Sequence, residues 1–229
     1  MVIPAIALAL AFITTAPAGT SNDNLLHAGW TDPRTGIQVR QEMWNCPCGR
    51  QTLRVHSSSR WSVTSNQNAG ETVKTYPDAQ QVLTRTNNTP RPLSSLGMIQ
   101  SVYHIRNPQH GTWNAAYDIW LNDYNIEVMI WTFNRHATPA GHKVGTTQYY
   151  GRTFTVWADN ADRIYSLVMH GNRTRDRVHI LSALRALRHM GFIHKSEWNI
   201  DAIEFGWEIR SSKNLTFNVL NYRNIIRRA

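Results

Sequence analysis

The chain should fold as an all-β sandwich or barrel, and three observations predict it. From Ile37 onward, short runs of alternating apolar and polar residues recur between turn residues, as short strands do. Charged residues make up only 17% of the 229, while Thr, Ser, Asn, Trp and Tyr are plentiful, a composition that favours strands. Helical spacing is confined to one stretch near the C-terminal end.

The N-terminal run MVIPAIALALAFITTAPA is apolar and ends in a small-residue site, Ala16-Pro17-Ala18. It is too short to span a bilayer and reads as a secretory signal cleaved before Gly19, although no Lys or Arg precedes it. The expected localisation is therefore extracellular. Residues 19–36, with GTSNDN and TDPRTG, read as a loose polar lead-in. A single domain, with no internal repeat or linker, should then run over 37–229.

Within that domain, the strand-like runs are IQVRQEMW, QTLRVHS, RWSVTS, ETVKTY, SSLGMIQSVYHI, WNAAYDIWLN, NIEVMIWTF, RTFTVWAD, RIYSLVMH, DAIEFGWEIR and LTFNVLNYR. TRDRVHILSALRALRHMG instead places Val178, Leu181, Leu184 and Leu187 at helical spacing. It predicts one amphipathic helix packed outside the sheets, capped by Thr174 or Asp176 and ended by Gly191.

The charge balance excludes little. A net charge of +9 would suit acidic partners, but the basic residues are scattered and no nucleic-acid motif accompanies them. The reading is a solvated basic surface with no specific nucleic acid. Cys46 and Cys48 in NCPCG lack the second pair that a Cys-based metal site needs, and a disulfide between them would close a strained ring. His136 and His142 read as loop residues, so no metal is expected.

Three strands carry the chemistry. In NIEVMIW, Ile126, Val128 and Ile130 share one face, which leaves Glu127 beside Met129 and Trp131 on the other. In AAYDIWL, Asp118 and Trp120 oppose Tyr117, Ile119 and Leu121; in AIEFGWEI, Glu204 and Glu208 oppose Ile203, Phe205 and Trp207. Each strand thus offers one apolar face to a core and one acidic, indole-bearing face. Acids with aromatic platforms suit a sugar polymer, because two carboxylates flanking a glycosidic bond are what its hydrolysis requires.

In NAAYDIWL, IEVMIW and FGWE, in that order and spacing, the sequence resembles glycoside hydrolase family 12, small endo-β-1,4-glucanases and xyloglucanases. EMW, ETVKTYPDAQ, RTFTVWADNADRIYSLVMHG and the lone late helix support the likeness, which covers about residues 37–225. The resemblance implies a β-jelly roll of two antiparallel sheets with a concave cleft for a β-glucan. It implies a retaining mechanism with Glu127 as nucleophile, Glu208 as general acid/base and Asp118 close to the nucleophile. It also places Trp44, Met129, Trp131 and Tyr76 along the cleft, where the alternation adds Trp120. No cofactor is implied, and the protein should act as a monomer.

Three departures bear on substrate preference. Ile209 follows Glu208 where the family often has proline. TFNRHATPAGHK keeps only a trace of the Pro-Gly-rich cord that crosses the cleft, and RWSVTSNQN retains one Trp where relatives often have more. Glu204 has the same strand parity as Glu208 and is its rival for the acid/base role. A xylanase of the related jelly-roll family and a non-catalytic carbohydrate-binding sandwich are the competing readings.

Overall fold

Alternation sorts side chains onto two faces of a strand, and here two sheets stack so that their apolar faces meet. The computed structural model describes residues 19–21, 29–43, 49–84 and 89–229. The expected signal segment 1–18, Trp44, Cys46 and Cys48 lie outside the described residues. In chain order the strands begin β1 (Gly19–Ser21), β2 (Gly29–Thr31), β3 (Gln38–Arg40), β4 (Gly49–Ser57), β5 (Arg60–Gln67), β6 (Asp78–Val82), β7 (Arg91–Pro92) and β8 (Leu96–Arg106). They continue with β9 (Thr112–Leu121), β10 (Ile126–Arg135), β11 (His142–Tyr149), β12 (Arg152–Asp159), β13 (Ile164–Met169) and β14 (Arg175–His179). After helix α1 (Ile180–His189) come β15 (Asn199–Ser211) and β16 (Leu215–Arg228).

A six-stranded sheet has the order β1-β4-β5-β16-β8-β14, and a ten-stranded sheet the order β11-β12-β13-β10-β9-β15-β6-β3-β2, with β7 also pairing β15. This is the expected jelly roll, with one exception to its antiparallel pairing. β10 and β13 run parallel, because the β11–β12 hairpin is inserted between them in the chain. Parts of the polar stretch 19–36 also join the sheets: β1 pairs β4, and β2 pairs β3.

Rings interlock where the sheets meet. Trp61 of β5 meets Trp207 of β15 edge-on at 5.4 Å, and Phe217 of β16 meets Trp113 of β9 edge-on at 5.4 Å. Edge-on geometry suits aromatic quadrupoles, and each such pair adds about 0.5–1.5 kcal/mol beyond area burial. The alternation read from sequence is the one observed: Ile126, Val128 and Ile130 join this core while Met129 and Trp131 do not.

One local reading is corrected. The helix begins later than the periodicity implied, because residues 175–179 are the edge strand β14. Asp176 does not cap it; its carboxylate instead accepts from Arg152 Nε at 2.9 Å and Nη2 at 3.1 Å. Val178 is apolar in phase with either period, so spacing alone could not separate strand from helix. The helix end is as expected. Gly191 has φ +84°, its N–H donates to Arg188 O, and Phe192 N–H donates to Leu187 O, the paired bonds of a Schellman motif.

β10 also carries a β-bulge at Thr132. Cross-strand partners run Trp131–Ala116 and then Phe133–Ala115, so one residue of β10 is left over. Phe133 thereby turns inward to stack on Trp113 at 5.2 Å, and Asn134 moves to the face of Glu127.

Gly206 sits where another segment crosses closely. A Cβ there would lie 2.0 Å from Pro77 O and 2.8 Å from Asp78 Cα, both backbone atoms. Gly206→Ala should therefore destabilise by at least the about 1–3 kcal/mol of an overpacked core. Gly145→Ala, whose nearest neighbour would be Met190 Cε at 3.5 Å, should stay within about 0.5 kcal/mol. Denaturant midpoints of the two variants test this.

Candidate active site

Register places the acids, because residues paired across neighbouring strands share a face. β10, β9, β15, β6 and β3 are consecutive in the ten-stranded sheet. Across them run three rows on the face turned away from the core. One joins Glu127 to Trp120 and Ala202; the next joins Met129, Asp118, Glu204, Gln80 and Gln38; the third joins Trp131, Ala116, Gly206, Asp78 and Arg40. Glu208 lies farther along β15, opposite Asn114. The structure thus brings Glu127, Asp118, Glu204 and Glu208 onto one face of three adjacent strands.

The outer face of a flat sheet would be wet, yet Asp118 is 6% exposed, Glu204 5% and Tyr76 4%. The face is therefore concave and walled. One wall is the segment before β6, where Ile209 N–H donates to Thr75 O and Lys74 N–H to Ile209 O. Tyr76, in the same segment, reaches down to donate its hydroxyl to Ala116 O at 3.1 Å.

The other wall is the cord of residues 136–141 that carries the chain from β10 to β11. Asn134 anchors it with reciprocal bonds to Ala137 N and O, and Arg210 Nη2 donates to Thr138 O at 2.7 Å. His136 lies in this cord with φ +60° and His142 opens β11.

The cord changes the reading of Trp131. Its indole is 1% exposed and clusters with Ala116, Met129 and Ala137, and its Nε1–H points at Met129 Sδ at 3.5 Å. The parity was right, but the ring is covered and presents no open platform. Met129 is also covered, at 4%. Trp120 is half-buried and stands 5.9 Å from Tyr124, which is 46% exposed. These two rings are the accessible aromatic surface beside Glu127.

The carboxyls divide by their partners. Glu204 accepts from Gln80 Nε2 at 2.6 Å and is ion-paired with Arg40 Nη2 at 3.0 Å, and Asp78 takes a two-point grip from the same guanidinium at 3.0 and 2.6 Å. Glu208 Oε2 accepts from Asn114 Nδ2 at 2.5 Å. Burial pushes the Glu208 carboxyl up, a rise opposed by Asn114 and by the nearby Arg210 charge. Burial raises Glu127 to about 8, with further repulsion from Glu208 and Glu204. Burial, then Glu127, Glu204, Glu208 and Asp78, pushes Asp118 well above the carboxylate range, and its Oδ1 is buried with no partner.

Such coupled acids share protons, so the cluster titrates as a unit. Among the described residues no group of three or more His, Cys, Asp or Glu is placed to hold a metal ion. What the arrangement can do is hold one carboxyl neutral beside another that is charged, the acid–base division that glycoside hydrolysis needs.

Sequence reasoning missed Asn114, Arg40, Asp78, Gln80 and Arg210. Counting back by twos from Asp118 reaches Asn114, so its facing was readable. Nothing local signals that Arg40 lies two strands from Glu204.

The model of glycosyl hydrolase family 12 matches residues 36–226. No curated protein matches the chain in sequence. Among solved structures, the xyloglucanase domain of NopAA, a type three effector from Sinorhizobium fredii in complex with cellobiose, is 23% identical with a TM-score of 0.80, over 93% of this chain and 100% of that one. A native family 12 xyloglucanase from Bacillus licheniformis is 22% identical, with a TM-score of 0.79 over 91% and 100%. Endoglucanase 3 of Trichoderma harzianum is 21% identical, with a TM-score of 0.82 over 94% and 100%. At these identities the structural likeness bears on fold.

Two predictions come from this face. A carboxyl raised from 4.5 to about 8 on folding contributes stability that is full below pH 4.5 and lost as pH rises toward 8. The melting temperature should fall between pH 5 and pH 8, and Glu127→Gln should flatten that fall; an unchanged slope would assign it to other groups. Trp131→Ala should cost about 3–5 kcal/mol as a core truncation. Trp120→Ala should cost less stability and raise KM for a soluble glucan instead.

Proposed function

The chain belongs to glycosyl hydrolase family 12, and we propose that it cuts internal bonds of a β-1,4-glucan with retention, using Glu127 as nucleophile and Glu208 as general acid/base. The observation that carries this is the pair itself. Two carboxyls on strands either side of β9 occupy one walled face, both raised by burial, with Glu208 repelling Glu127. Glu204, the rival acid, is already engaged by Arg40 and Gln80, partners that Glu208 does not have.

In the first step Glu127 attacks the anomeric carbon from the α face while Glu208 gives its proton to the departing glycosidic oxygen. Water then enters from the β face, Glu208 takes its proton, and Glu127 leaves as carboxylate. This needs Glu127 charged and Glu208 neutral. In the free cleft the anion-favouring contacts fall on Glu208 instead, from Asn114 and Arg210. The two arrangements carry the same charge and differ by one proton's location. Positive charge growing on the sugar beside Glu127 favours the reactive one. Asp118 supports it by keeping its own proton, since a neutral carboxyl tolerates burial that a charged one does not.

The remaining features fit a neutral glucan. Trp120 and Tyr124 offer rings for a sugar face beside the nucleophile, and two-carboxylate hydrolysis requires no cofactor. A polymeric substrate of this kind lies outside cells, in keeping with the secretory reading of residues 1–18.

Azide separates the roles by stereochemistry. Glu127→Gly with azide and an activated β-glucoside should yield the α-glycosyl azide, because azide enters from the vacated side. Glu208→Ala should form the glycosyl-enzyme on Glu127 and yield the β-azide. Glu204→Gln should need no rescue. A β-azide from the Glu204 variant, with Glu208→Ala still active on polymer, would move the acid/base to Glu204 and overturn the assignment.

A further inference from the structure

The acids on the concave face leave unexplained where the excess positive charge resides. It lies on the opposite side of the molecule. On the outer face of the six-stranded sheet, β4 presents Arg50 and Arg54, β5 presents Arg60, and β8 presents Arg106, all exposed. The edge strand β14 adds Arg175 and Arg177, and β16 adds Arg223 and Arg227, again exposed. Asp176 is the one carboxylate on the described strands of this sheet, and Arg152 and Arg173 from outside the sheet engage it. None of Arg50, Arg54, Arg60, Arg106, Arg175, Arg177, Arg223 and Arg227 forms an ion pair among the described residues.

The arrangement is ordered by register. Arg177 and Arg223 flank Val102 in one row; Arg175, His104 and Asn221 form the next. Between them is a shallow depression of about 350 Å³, open to solvent, whose lining also includes Asp176, the carboxylate that Arg152 and Arg173 engage. Arg54, Ser62, Asn218 and Arg106 make a further row across four strands. Arginines are thus interspersed with Ser62, Asn218, Asn221, His104 and Val102; neighbours within a row repeat at the strand spacing of about 4.8 Å, and the rows follow one another at two residues, about 6.8 Å.

We propose that this outer face binds an extended carboxylated polysaccharide, a polyuronate. Guanidinium groups grip carboxylates in bidentate fashion, and the interleaved Ser, Thr and Asn side chains match sugar hydroxyls. A polymer with a charge and several hydroxyls on every unit fits both sets at once. Nucleic acid fits less well. Single strands need aromatic platforms, and no Phe, Trp or Tyr side chain on the described strands points outward from this face. The ring at its edge, Tyr150, stacks one face on His179 at 3.4 Å and stays 64% exposed, a single ring where a run of bases needs several. Duplex reading needs a helix or ribbon that enters a groove, and this face is a broad sheet surface. Bound there, the protein would be held against an acidic matrix with its acidic cleft turned away from it.

The test is affinity electrophoresis of the full chain in gels containing polygalacturonate, its methyl ester or duplex DNA. The intact protein should be retarded by polygalacturonate, with at least tenfold weaker apparent affinity for the ester and for DNA. The triple substitution Arg175→Gln, Arg177→Gln, Arg223→Gln should lose at least tenfold in affinity for polygalacturonate. Its melting temperature and its hydrolysis of a soluble neutral β-glucan should not change. The single Arg223→Gln should show a smaller loss in the same direction, should the triple variant fold poorly. A second triple of equal charge, Arg185→Gln, Lys195→Gln, Lys213→Gln, should bind as the intact protein does. Equal loss in both triples would reduce the effect to net charge, and tighter retention by DNA than by polygalacturonate would make the surface a nucleic-acid one; either result overturns the proposal.

Discussion

The concave face depends on one guanidinium. Arg40, on β3 with 11% of its side chain exposed, grips Asp78 at two points, touches Glu204 Oε1 at 3.0 Å and Glu42 Oε1 at 3.1 Å. Asp78 is fully buried, so without this cation it would be a charge with neither water nor partner, a loss of about 3–5 kcal/mol when one member of such a pair is removed. The grip also orders the face electrostatically. The cation sits at the β3 end, where it ion-pairs with Asp78 and Glu204 and opposes the rise that burial imposes on the Asp78 carboxyl. Farther across, on β9 and β10, Asp118 and Glu127 receive no comparable donor and answer burial by taking up protons. Acids of the same kind are thus salt-bridged to a guanidinium at one end and left as proton carriers at the other.

Between these ends stands Glu208, and its neighbours explain why it is neither. Asn114 and Arg210 moderate its rise without pairing it as tightly as Arg40 pairs Asp78. A group that must give a proton and then take one back needs both forms within reach. The same Arg210 also fastens the cord through Thr138 O, so the wall of the cleft and the bias on its acid/base share one side chain.

Much of this was legible in the sequence because strand parity is a local property. The core faces of β9, β10 and β15 follow from alternation alone, and so does the common facing of Asp118, Glu127, Glu204 and Glu208. What alternation cannot carry is adjacency, which is decided by contacts far apart in the chain; Arg40 and Glu204 are the clearest case. The errors have similar causes. The extra residue at Thr132 reverses the parity of Phe133 and Asn134, and nothing in TFNR announces it. β11 is mostly exposed, so HKVGTTQY carries no apolar alternation to reveal a strand. Trp131 was placed on the right face but not under Ala137, because the cord's path is a tertiary fact.

The two sheets also divide the charge of the molecule, and the division is not a by-product of folding. Like charges directly opposite one another on neighbouring strands are destabilising, and cationic rows lose stability for the same reason. Here the penalty is softened by placement: Val102 separates Arg177 from Arg223, and Ser62 and Asn218 separate Arg54 from Arg106. Ion pairing with acids would remove it altogether, yet the described strands of this sheet supply Asp176 alone, and that residue is engaged by arginines outside the sheet. The acids instead crowd the other sheet, where burial, with mutual repulsion added, drives proton uptake on Asp118 and Glu127. A neutral glucan gains nothing from nine units of net positive charge, which the cleft does not face. The basic sheet is therefore accounted for neither by the stability of the fold nor by chemistry in the cleft; net charge of this size favours solubility, and the ordering of the arginines into rows is what the proposed anionic polymer would use.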